Sequence, residues 1–189
     1  MIIFLMKTNS HDNAGAAKFV AAGFLTLFFR YLTSWSAPIL HLSNISPILA
    51  TSMAGAKKFG PWRSAAYCLI NMVALDWVTG RMGTWTVHTS LTYAIVALIG
   101  GSLVTNMKGG MVRFLLVTVM CTLIFDYVTG IMMSDLSWQD AAFGQISFTL
   151  SHLGGNVFFA LFYKEIAAFY SEISEKKDFS PVLYQGAIA

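Results

Sequence analysis

Six mostly apolar stretches, separated by glycine, proline or charge, run along the chain: Ala16–Trp35, Ile45–Phe59, Arg63–Val78, Val87–Thr105, Val112–Met132 and Ala142–Tyr163. A membrane-crossing helix needs about 20 such residues, fewer where neighbouring helices shelter it. The pattern predicts one all-α membrane domain over residues 1–170, built from six transmembrane helices. A short tail, residues 171–189, follows it. The second and third stretches are short and share the breaker Gly60-Pro61, so they read as a hairpin with its tip at Lys57–Arg63. Pro38 and Pro47, Gly80 and Gly83, Gly109-Gly110 and the run Asp135–Asp140 punctuate the other turns.

Basic residues orient the bundle. Lys7, Lys18, Lys57, Lys58, Arg63, Lys108, Arg113, Lys164, Lys176 and Lys177 fall on the side of the N-terminus, and only Arg30 and Arg81 fall on the other. Such a split in short loops places both termini in the cytoplasm. Phe19–Leu32 could serve as a signal core cleaved near Ser34–Ala37; retaining it keeps the number of spans even and the charge pattern intact.

Composition agrees with lipid as the main solvent. Of 189 residues, 56% are apolar and 11% charged, against about 25% charged in soluble domains. The net charge of +3 is small and carried by loops, so nucleic acid is not an expected partner. Cys68 and Cys121 lie inside apolar runs without ligand spacing and read as packing residues. The chain has no Walker-type phosphate loop, no Gly-x-Ser-x-Gly and no His-Glu-x-x-His. It is read as a non-enzyme, with no catalytic residues, metal or cofactor.

An internal echo marks the candidate chemistry. Asp76-Trp77-Val-Thr79-Gly80 and Asp126-Tyr127-Val-Thr129-Gly130 repeat the order Asp–aromatic–Val–Thr–Gly fifty residues apart, near the outer ends of the third and fifth helices. A carboxylate at the centre of a span costs about 2.5–3.5 kcal/mol on insertion scales, and less near the interface. It is tolerated where it meets a cavity or a partner, although capping and aromatic-belt roles give the same spacing.

Other polar groups converge on that level. Asn71 lies just over one turn below Asp76, and Gln145, Thr149, His152 and Asn156 form one stripe on the sixth helix. His88 and Thr92 share a face of the fourth helix, and Asn44 and Ser46 open the second. Together they suggest a wet pocket open to the outside. The candidate substrate-binding residues are Asp76, Asp126, Asn71, His152 and Asn156, with Trp77 and Tyr127 stacking on the solute. Trp35, Trp85 and Trp138 stand at the same level as further walls. On the cytoplasmic side, Ala17-Lys-Phe-Val-Ala21 has the small-x-x-x-small spacing that lets another helix approach.

These features resemble the substrate-binding (S) component of energy-coupling factor (ECF) transporters. Arg30…Asn44-Ile-Ser46-Pro47-Ile…Ala54-Gly55-Ala56…Phe59-Gly60 is similar to the Arg…Asn-Phe-Ser-Pro…Ala…Gly-Ala pattern of an uncharacterised bacterial membrane family of the same fold. Phe59-Gly60-Pro61 running into Asp76…Gly80 resembles a Phe-Gly-Pro…Asp…Gly signature of many S components. The resemblance covers residues 14–170. It implies capture of a vitamin-like micronutrient from outside and delivery in complex with a transmembrane coupling protein and two cytoplasmic ATPases. Ala17 and Ala21 would then form part of the docking face, and the Ser34–Asn44 loop would gate the pocket. Lys18, and Ile45 where an aromatic residue is usual, depart from the pattern. A structural membrane scaffold of the same fold and an autonomous ion-coupled carrier remain open alternatives.

Overall fold

The computed structural model describes residues 10–35, 45–106, 110–132 and 134–171, and every regular element among them is helical. The helices are α1 (Ser10–Trp35), α2 (Ile48–Phe59), α3 (Pro61–Val78), α4 (Thr84–Asn106), α5 (Met111–Asp126), α6 (Trp138–Leu161) and α7 (Tyr163–Ser171). A π-helical stretch, Tyr127–Met132, extends α5. Residues 36–44 of the Ser34–Asn44 loop expected to gate the pocket, the terminal lysines Lys7, Lys176 and Lys177, Lys108 and the tail beyond residue 171 lie outside the described residues.

The six expected apolar stretches coincide with α1 to α6; α7 was not expected. It bends away from α6 by 56° at Phe162. Two helical segments, Thr84–Asn106 and Met111–Ile131, are long and apolar enough to cross a membrane, and the bent pair α6–α7 would make a third. The remaining helices fall short of that standard for readable reasons. The twelve residues of α2 span about 18 Å at 1.5 Å each, well under a hydrocarbon core of about 30 Å. Lys18 and Arg30 interrupt α1, while α3 carries Arg63, Asn71 and Asp76.

Helix α2 is short because it is the centre of the bundle. It touches each of the other six helices, and eight of its twelve residues are buried. Its alanines and Gly55 let neighbours approach: a Cβ on Gly55 would press on the Phe19 ring of α1. Around it α3, α4, α5 and α6 pack in chain order, and α1 packs on α3. Among the described residues α1 and α6 do not approach backbone to backbone; their contact is the Phe29–Phe159 ring pair, 5.2 Å between centroids.

The surface is apolar where a soluble protein would be polar. Phe24, Leu25 and Phe28 of α1, Val112 and Leu116 of α5, and Phe143 and Leu150 of α6 are all exposed. Contiguous apolar surface on several helices fits a lipid environment. The hydroxyl groups follow the same logic. Thr51, Thr79, Thr89, Thr105, Thr118, Thr122 and Thr129 each donate to the carbonyl four residues back in their own chain, which satisfies these seven O–H groups in an apolar medium.

One end of the bundle is rich in cations. There Lys18 Nζ donates to Phe169 O at 2.7 Å, Lys58 Nζ donates to Tyr170 O, and Lys57 lies 5.7 Å from the centre of the Tyr163 ring. The two lysines satisfy carbonyls at the end of α7, where the helix dipole favours positive charge. Lys18 therefore turns towards α7, and Ala17 and Ala21 stay exposed on another face of α1.

Candidate solute-binding cavity

At the opposite end, the last turns of α1, α3 and α5 meet the first half of α4 and the middle of α6 around a cavity of about 240 Å³. The echo sequence on α3 builds one wall. Gly80 adopts φ +69°, a left-handed conformation that ends the helix cheaply only in glycine. Arg81 N–H then bonds Asp76 O at 2.7 Å and Gly80 N–H bonds Trp77 O at 3.2 Å, the paired closure of a Schellman motif. The chain folds back on itself, and both Asp76 and Arg81 line the cavity.

The second copy of the echo takes another course. Asp126 ends the α-helical part of α5, and the chain continues as the π-helical stretch, with no left-handed residue at Gly130. Gly130 instead makes room for α6, because a Cβ there would collide with the Gln145 side chain. Ser137 starts α6 as its N-cap, accepting from Asp140 N–H at 3.2 Å while its hydroxyl donates to Asp140 Oδ2 at 2.6 Å. That cap and the Gly130 contact set the height at which α6 delivers His152.

His152 joins three helices. Its Nδ1 lies 2.6 Å from Asp126 Oδ1 on α5, and its Nε2 lies 2.8 Å from Tyr93 Oη on α4. A carboxylate only accepts, so Nδ1 carries the proton; in the neutral ring Nε2 then accepts from the tyrosine. All three side chains are buried. The Tyr93 and Phe125 rings pack at 4.0 Å between centroids, with His152 edge-on to both. His152 and Tyr93 reach the cavity wall, and Asp126 supports them from behind.

Asp76, 7% exposed, has no hydrogen-bond partner on Oδ2. A buried polar atom left in that state costs about 1–3 kcal/mol, more if charged. Arg30 reaches the cavity from α1 and donates from Nη1 to Ile45 O at 3.1 Å. Trp85, Phe125 and Phe148 supply apolar wall.

Other expected residues lie elsewhere or behind the wall. Asn71 is buried and donates to Tyr67 O at 3.0 Å; it lies on a separate apolar groove between α1 and α3. Asn156, fully buried one turn beyond His152, has neither amide atom bonded and does not line the cavity. Trp77 and Tyr127 are 74% and 55% exposed and line no part of it, and Trp138 is likewise exposed. The Trp35 side chain lies outside the described residues. His88 is exposed, whereas the interior face of α4 carries Thr86, Thr89, Ser90 and Tyr93. Tyr93 and Phe148 were absent from the sequence reading; the signal for Tyr93 is its place on the helical face that carries Thr86, Thr89, Ser90, Ala97 and Gly100. Ser46 is buried and its Oγ accepts from Ile48 N–H at 3.4 Å.

Both cysteines are free and buried. No group of three or more His, Cys, Asp or Glu side chains among the described residues could hold a metal ion. Comparison with protein-family models, with curated proteins and with solved structures gave no match.

Proposed function

We propose that this chain is a membrane-embedded solute-binding subunit, with α1 to α6 in the bilayer, both termini in the cytoplasm and the cavity open to the outside. The observation that carries the reading is the cavity itself. It brings together a buried carboxylate with an unused oxygen, two guanidinium groups and a fixed His–Tyr pair, at the end of the bundle away from the lysines. Intramembrane ionisable groups are costly, and their usual occupation is a solute path. The lysine distribution supports the sidedness.

The resemblance to ECF S components supplies the transport context: capture of a vitamin-like micronutrient, then delivery with a transmembrane coupling protein and ATPases. The exposed Ala17–Ala21 face is compatible with helix docking, since Lys18 is occupied at α7. The test is equilibrium dialysis of the purified chain against a vitamin panel, with mass spectrometry of any solute that co-purifies. A ligand at a hundred times its Kd stabilises the fold by about 2.7 kcal/mol, so binding also raises the unfolding temperature. No retained mass and unchanged stability across the panel would refute capture of a vitamin-like solute.

A further inference from the structure

We infer that the cavity takes a small zwitterion of amino-acid size, with a carboxylate and an ammonium group on a compact apolar body. The inference rests on reading this cavity as a solute site.

The charge layout comes first. The Schellman closure of α3 makes Asp76 and Arg81 two parts of one wall, joined by the 2.7 Å backbone bond between them. Arg30 adds a second guanidinium from α1, within electrostatic range of Asp76 and Arg81. His152 is hydrogen-bonded to Asp126, which lies behind the wall and does not line the cavity. The lining therefore carries one buried carboxylate, Asp76, with Arg30 from α1 and the exposed Arg81 as its two cations.

Hydrogen-bonding capacity narrows the ligand further. Asp76 Oδ2 can only accept as a carboxylate, and nothing donates to it. The two threonines of the lining have committed their protons: Thr79 Oγ1 donates to Leu75 O at 2.8 Å and Thr89 Oγ1 to Trp85 O at 2.9 Å. A monoanion would meet the guanidinium groups and leave Asp76 without a donor. A monocation would meet Asp76 and face two like charges. A solute bearing both groups satisfies both parts of the wall.

Volume sets the size. At about 240 Å³ the cavity lies below the 300–1,000 Å³ range of drug-sized ligands. Trp85, Phe125 and Phe148 leave an apolar side for an alkyl or ring substituent.

The experiment uses the full chain in detergent and matched probes. Leucine is compared with 4-methylpentanoate, which lacks the ammonium, and 3-methylbutylamine, which lacks the carboxylate. Phenylalanine is compared in the same way with 3-phenylpropanoate and 2-phenylethylamine. By calorimetry at least one amino acid should bind at least tenfold more tightly than both of its single-charge analogues. Asp76→Asn should abolish its advantage over the acid, and Arg81→Gln its advantage over the amine. The wild-type series stands without the variants if either fails to fold. A single-charge analogue binding as tightly as its zwitterion overturns the inference. So does failure of both amino acids to bind while a different solute co-purifies, an outcome that leaves the capture reading standing. No binding of any solute removes both.

Discussion

Replacing His152 by leucine should destabilise the protein well beyond the two hydrogen bonds it removes. In wild type, the imidazole holds Asp126 at 2.6 Å and Tyr93 at 2.8 Å, with all three side chains buried. Interhelical hydrogen bonds in membrane proteins average about 0.6 kcal/mol, with a maximum of about 1.7, because the unfolded chain in lipid also finds partners. Two average bonds therefore account for about 1.2 kcal/mol. Asp126 changes the arithmetic. Its Oδ2 already lacks a partner, so losing the histidine leaves neither carboxylate oxygen bonded. Breaking a buried pair by removing one member costs about 3–5 kcal/mol, since a charge is stranded. The stranded carboxylate should dominate, and His152→Leu should fall in that higher range. Tyr93→Phe, which removes one neutral partner, should cost under about 2 kcal/mol. Reversible unfolding in mixed micelles, followed for both variants and for Asp126→Leu/His152→Leu, decides the matter. The double variant should be more stable than His152→Leu alone, because no carboxylate remains to strand. Additive losses in the double variant would refute the reasoning, as would equal losses for His152→Leu and Tyr93→Phe.

Two further substitutions test how the cavity is held. Gly130→Ala should cost under about 1 kcal/mol in a thermal unfolding assay, because a Cβ there meets only the amide end of the flexible Gln145 side chain, which can swing aside. Lys58→Met should release the end of α7 at a cost of about 0.3–1 kcal/mol, seen as faster proteolysis after Tyr163 with solute binding unchanged.

The helices were legible in the sequence because each apolar run ends on a residue with a reason to end it. Gly60-Pro61 divides α2 from α3, with Pro61 at the first helical position, and Gly80 closes α3. Helix α7 was missed because the last apolar stretch ends at Tyr163, where the charged Lys164 and Glu165 follow, whereas the lysines of α1 and α2 hold the helix against the bundle. The Asp126–His152 approach was foreshadowed by polar residues at one depth. Its third member was not, because the face of α4 was phased on His88 and Thr92 rather than on Thr86, Ser90 and Tyr93. The Trp77 and Tyr127 placements follow from helix geometry. Consecutive residues point about 100° apart, so an aromatic directly after an inward aspartate turns towards the surface. The two echo copies carry the same five letters to different ends, a left-handed stop at Gly80 and a close approach at Gly130. Only the packing of α6 against α5 distinguishes them.

The account depends on the cavity facing outward, and cysteine labelling reads that directly. Cys68 and Cys121 are buried, so a cysteine placed at exposed Gly83, beside the cavity, or at exposed Trp62, in the lysine-end hairpin, reports with little background. In intact cells a membrane-impermeant maleimide should label Gly83→Cys and leave Trp62→Cys unlabelled until the cells are opened. Labelling of Trp62→Cys from outside, with Gly83→Cys protected, would contradict capture from the exterior.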